Sequence, residues 1–150
     1  MGYLTTSALK QAFESALASS LTGYHISRYP HELFPLDSDS RPLEHKAFCV
    51  GVLDTTTYVD RARQRPALGN VVATGLDVSI AYRLRADAMV ADYNAGLAGE
   101  AELLKAVFAV SNSSLISITF NSASRQVVGE GTVFASTSNF RCIHRLQLEA

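Results

Sequence analysis

Tryptophan is absent from this sequence, cysteine appears twice, and three of the four prolines, Pro30, Pro35 and Pro42, fall in one short stretch. Cys49 and Cys142 lie far apart, each inside an apolar segment, so they read as reduced, buried thiols; zinc needs more ligands at closer spacing. Charge of one sign is not in excess either: the formal net charge is -1 and the pI about 6.4. That leaves no global basic field to draw the chain onto nucleic acid or anionic lipid. No apolar run reaches the ~18 residues needed to cross a bilayer, and MGYLTTSALKQAF has no basic start followed by an apolar core. The expectation is synthesis in the cytoplasm and no membrane partner. Nucleophile elbows and phosphate-cradling glycine loops are missing as well. GEGT at Gly129 to Thr132 lacks the lysine and following helix of a phosphate loop and reads as a hairpin turn.

What the chain does hold is apolar side chains in periodic order. Hydrophobic residues make up 47% and charged ones 18% of 150 residues, enough to bury a single core of common domain size. Leu9, Phe13, Ala16, Leu17 and Leu21 share one helical stripe, with Thr5, Thr6 or Ser7 as N-cap and Gly23 near the C-terminus. Tyr24 to Lys46 is broken by proline, aspartate and serine into a connecting segment, with one short strand near Tyr24 to Arg28. Ala47 to Leu53 is a nearly continuous apolar run, a strand buried on both faces in mid-sheet. Val72 to Leu84 alternates: Val72, Leu76, Val78, Ile80, Tyr82 and Leu84 on one side, Asp77, Ser79 and Arg83 on the other, a long half-buried strand. Asp87 is positioned to cap a second helix from about Ala88 to Val110, which Gly96 and Gly99 are expected to kink or break. Leu115 to Phe120 reads as a strand, Asn121 to Arg125 as a turn, Gln126 to Ala135 as a further strand, and Phe140 to Leu148 as the last. The expected fold is α+β, a largely antiparallel sheet with helices packed on one face and a long extended loop between two central strands.

Few residues invite chemistry. His25, His31 and His45 lie in or beside the irregular segment, and His144 falls on the apolar parity of the last strand, as a buried neutral imidazole with one hydrogen bond. Asp37 and Asp39, with His31 and Glu32, form an acid/base or cation cluster or, with the flanking prolines and serines, a solvated turn. The segment Asp54 to Asn70 is too long for a tight turn and carries Tyr58, with Arg61, Arg63 and Arg65 in alternation. It reads as a solvated extension or as an arm that orders against carboxylates of a neighbouring subunit, or against phosphates if DNA passes nearby. Arg83, Arg85, Arg141 and Arg145 sit on the polar parities of two long strands and, if those strands are close, make one basic stripe on the open face. Such sign segregation favours association in a ring. No catalytic, cofactor or metal residue is assigned.

The layout resembles the tail terminator family of long-tailed phages, small α+β proteins that form a hexameric ring at the top of the tail tube. The residues that carry the resemblance are the helix Leu9 to Leu21, the approach FPLDSDSRP into the strand Ala47 to Leu53, and the arginine-bearing extension. The long strand ending in YRLRAD, the helix after Asp87 and the terminal strands ending in RCIHRLQLEA complete it. The resemblance implies a structural, non-enzymatic virion protein of the tail-neck region. Its partners are then copies of itself, the tail-tube protein, a head-tail connector or neck protein, and DNA passing through the ring lumen. Two other readings stand beside it: another neck or head-completion ring protein, and a small enzyme or ligand-binding domain with a pocket between helices and sheet, using His31, Asp37, Asp39 or His144.

Overall fold

A computed structural model describes residues 5–27, 45–57, 59–60, 65–66, 71–111, 115–128 and 131–145. Helix α1 spans Thr6–Ser20 and starts where expected, because the Thr5 hydroxyl accepts the Ala8 N–H at 3.0 Å. Its stripe of Leu9, Phe13 and Leu17 is fully buried. Past the helix, Gly23 takes φ +83°, a left-handed conformation open to glycine, and turns the chain into β1 (His25–Ile26). Then come β2 (Ala47–Thr57), β3 (Val59–Asp60), β4 (Arg65–Pro66), β5 (Val71–Arg83), α2 (Met89–Phe108), β6 (Leu115–Val128) and β7 (Val133–Arg145).

Five strands form one sheet in the order β1-β2-β5-β7-β6, antiparallel except for the short parallel pair β1–β2. The register places Phe48, Val50, Leu76, Val78, Ile80, Phe134, Phe140 and Cys142 on one face, and they join residues of both helices in the main core. Helix α1 lies over β2 and α2 over β5 and β7. The α+β expectation, with helices on one face of a mainly antiparallel sheet, therefore holds. The opposite face carries no helix among the described residues. It holds a second, smaller cluster of Ala47, Cys49, Ala81 and Val133.

Several expectations need correction. Strand β5 is buried on both parities rather than half-buried: Val71, Ala73, Ser79 and Ala81 on the open side are as inaccessible as Val78 and Ile80. Helix α2 runs unbroken through Gly96 and Gly99, because the glycines there serve close packing. A Cβ at Gly96 would clash with the edge of the Phe134 ring, and one at Gly99 would clash with the Tyr24 hydroxyl. Asp87 does not cap this helix, whose N-cap Ala88 makes no side-chain bond. Asp92, one turn in, takes the Arg85 N–H at 2.8 Å instead. Finally, Asn121 to Arg125 is not a turn but the middle of the 14-residue strand β6, and the Gln126 to Ala135 strand is divided between β6 and β7 by the turn at Gly131 and Thr132. A bulge between Phe120 and Ser122 shifts the register there. Polar side chains then pair across the open face, Asn121 Nδ2 donating to Asn139 Oδ1 at 2.8 Å and Asn139 Nδ2 to Asp77 Oδ1 at 2.7 Å.

Candidate assembly surface

The sheet order leaves β6 at one edge, with β7 its only strand partner among the described residues. A fourteen-residue edge is long for an unpaired strand, and the usual guards against edge-to-edge pairing are charged side chains, proline and shortness. LISITFNSASRQVV contains no proline and no lysine, and its one charge is Arg125. That charge is paired with α2, although its side chain stays exposed. The Arg125 guanidinium grips Glu100 of α2 through Nε at 2.9 Å and Nη2 at 2.5 Å, while the Ser136 hydroxyl donates to the same carboxylate. The hydrogen bonds to Glu100 raise the Arg125 pKa above its ordinary value, so it stays charged and paired.

On its helical side β6 extends beyond the cover of α2, which lies over β5 and β7. Phe120 and Val127 face that side, opposite Phe140 and Phe134 of β7, and are 40% and 46% exposed. Phe108, in the last turn of α2, is 51% exposed. Phe108 and Phe120 flank the buried Phe140 edge-on, with centroids 5.9 and 5.6 Å away. Ile116, beside the bulge at the start of β6, is exposed as well. The result is an apolar ledge beside a row of backbone donors and acceptors with no strand partner among the described residues, the combination that β-strand addition uses: main-chain bonds for affinity, side-chain seats for specificity.

The residues singled out from sequence are distributed differently. Tyr58, Arg61 and Arg63 lie outside the described residues, as do His31, Glu32, Asp37 and Asp39. Arg65 is in β4, paired in register with Asp60 of β3, so the extension carries a small ribbon of its own between β2 and β5. The four strand arginines do not form one stripe. Arg141 pairs with Gly75 and Arg145 with Val71, whereas Arg83 is opposite Val133, eight positions along β5 from Gly75. At about 3.3 Å per residue that separation is roughly 27 Å. Arg85 lies past the end of β5 and forms a bidentate pair with Asp92, both contacts at 3.0 Å. Hydrogen bonds from Arg85 hold the Asp92 pKa below the usual carboxylate value.

His144 is fully buried and bonded through Nε2 to the Thr74 hydroxyl at 2.7 Å, in line with the buried imidazole expected from its parity. Burial lowers its pKa and pushes the Cys142 thiol up to about 12. Both cysteines are free and buried, small hydrophobes as anticipated. Among the described residues no group of three or more His, Cys, Asp or Glu could hold a metal ion, and no helix is long and apolar enough to cross a membrane.

Sequence reading missed the ledge. The signal was present as the lack of charge and proline from Leu115 to Gln126 other than Arg125, but a turn placed at Asn121 hid the length of the strand. Compared with known protein families and with characterised proteins, the sequence matches none.

Proposed function

We propose that this chain is a structural subunit of a long-tailed phage virion, a tail terminator whose homo-oligomeric ring caps the tail tube, stops its polymerisation and presents a surface to the head or neck connector. The observation that carries the assembly half of this reading is the unguarded β6 edge and its apolar ledge of Phe108, Phe120 and Val127. The opposite edge differs in kind. Among the described residues strand β1 pairs with Ala47 and Phe48 of β2, and β2 continues through the exposed Leu53, Asp54, Thr55 and Thr56. Two unlike edges on one sheet suit a head-to-tail contact, which closes into a ring when the rotation permits, better than a self-complementary pair. The terminator half rests on the layout of elements and on the arginine-bearing extension, which offers Arg61, Arg63 and Arg65 to a neighbouring subunit or to the tube.

The test of the edge is a charge placed on it. Replacing Phe120 and Val127 together by lysine adds two guards to β6 at exposed positions, which leaves the fold in place. Light scattering should then find the wild type oligomeric, alone or on tubes, and the double variant monomeric in both settings. A double variant that assembles as the wild type does would remove β6 from the interface.

A further inference from the structure

Where the end of α1, the middle of α2 and the sheet meet, without any residue of β6, lies a cleft of about 340 Å³ whose lining includes Tyr24, Lys46, Tyr82 and Glu102. That volume is in the range of small-molecule sites, which are mostly apolar with a few placed polar groups. Helix α2 presents Ala95, Ala98 and Gly99 to the cleft, residues with too little side chain to fill it, and Leu21 adds apolar surface from the end of α1. The two tyrosine rings supply the larger walls.

The polar groups are placed by the fold. A Cβ at Gly99 would clash with the Tyr24 hydroxyl, so a glycine in mid-helix lets that phenol stand against α2. Burial first, and Tyr82 second, push the Tyr24 pKa up to about 12, so the phenol keeps its proton at neutral pH and acts as a donor. Lys46 is the one described non-glycine residue at positive φ, +52°, and its carbonyl accepts the His25 N–H at 2.9 Å, which pins the backbone that carries the ammonium. Lys46 Nζ lies 5.9 Å over the Tyr82 ring. Glu102, exposed on α2, brings a carboxylate to the same lining. One cleft therefore offers a cation and a neutral donor to an anionic group, and a carboxylate to a cationic one.

We propose that this cleft binds a small zwitterion of the amino-acid class. Its carboxylate accepts N–H and O–H bonds from Lys46 and Tyr24, its ammonium meets Glu102, and its apolar body packs on Tyr82 and the small residues of α2. Charge decides between this ligand and simpler ones. A lone anion in the cleft is repelled by Glu102 and a lone cation by Lys46, whereas a zwitterion meets an opposite charge at each end. The site shares no residue with the β6 edge, so it stands or falls independently of ring assembly.

The test is calorimetric titration of the full-length chain with phenylalanine and leucine, then with hydrocinnamate, which lacks the ammonium, and phenethylamine, which lacks the carboxylate. Lys46→Gly removes the ammonium at a position where glycine adopts the backbone more readily, so the variant should fold at least as well as the wild type. Tyr24→Phe keeps the ring, Glu102→Gln changes an exposed side chain, and Lys10→Gln removes a charge on α1 as a control. Saturable binding of either amino acid that weakens about tenfold in each cleft variant and is unchanged in Lys10→Gln supports the site. Hydrocinnamate binding that is no weaker in Glu102→Gln than in the wild type assigns that carboxylate to the ammonium. No saturable binding of either amino acid, a truncated probe that binds as tightly as phenylalanine, or equal weakening by Lys10→Gln overturns the proposal.

Discussion

His144 shows how one residue ties the fold to pH. Its imidazole is fully buried, with Thr74 on Nε2 and the Arg145 carbonyl 3.4 Å from Nδ1. Thr74 is in turn 3.0 Å from Thr55, so three polar side chains satisfy one another at the base of the β2–β5 extension. Burial depresses the imidazole pKa below 6.5. The unfolded chain therefore takes up the proton first, and stability falls as pH drops below about 6.5, levelling off once the folded-state pKa is passed. Urea unfolding from about pH 7.5 to about pH 5.5 should show wild-type stability declining more steeply than that of His144→Gln. His45, also held low, contributes to the slope of both proteins equally. Parallel curves for the two would contradict the assignment. Parity alone made His144 legible in the sequence, since it falls in step with Phe140 and Cys142. No such signal existed for His45, whose partner is a backbone N–H from a strand 38 residues further on.

Among the elements, α2 is the one whose sequence misleads most. Two glycines in a helix each cost about 1 kcal/mol relative to alanine, which predicts a break. Contact with another element reverses the inference: the Phe134 ring occupies the space a Gly96 side chain would need, and Tyr93 meets that ring edge-on at 4.8 Å. Gly96→Ala should consequently lower stability by about 1–3 kcal/mol, as overpacking does, despite its gain in helix propensity. Denaturant unfolding measures this directly, and a stabilised variant would mean that Phe134 gives way without strain. The same lesson applies to β6. A polar run of Asn, Ser and Arg looks like a turn when taken by itself. It is a strand because Asn121 and Arg125 find partners on β7 and α2 that only the folded sheet brings near. Strong alternation in β5 and the helical stripe of α1 needed no such help and were legible from one sequence. The arm from Asp54 to Asn70 was recognised as an extension, yet its first four residues continue β2, paired with β5, and of the rest only the β3–β4 pairing belongs to the described residues.

At the scale of the whole molecule, the sheet is asymmetric. One sheet face is covered by helices, the other carries no helix among the described residues and holds small buried side chains and a polar ladder, and the two sheet edges differ among the described residues. A net charge of -1 leaves neither strong self-repulsion nor a global attraction for DNA, so association depends on local complementarity. The measurement that tests this most directly is electron microscopy and native mass spectrometry of the purified chain, mixed with polymerising tail-tube protein. It should be run beside a variant carrying Arg61→Glu, Arg63→Glu and Arg65→Glu. The wild type should form a ring, or sit at tube ends with tube length arrested, and the variant should fold but be impaired in both. A wild-type chain that stays monomeric and ignores the tubes, or a variant that caps them normally, would contradict it.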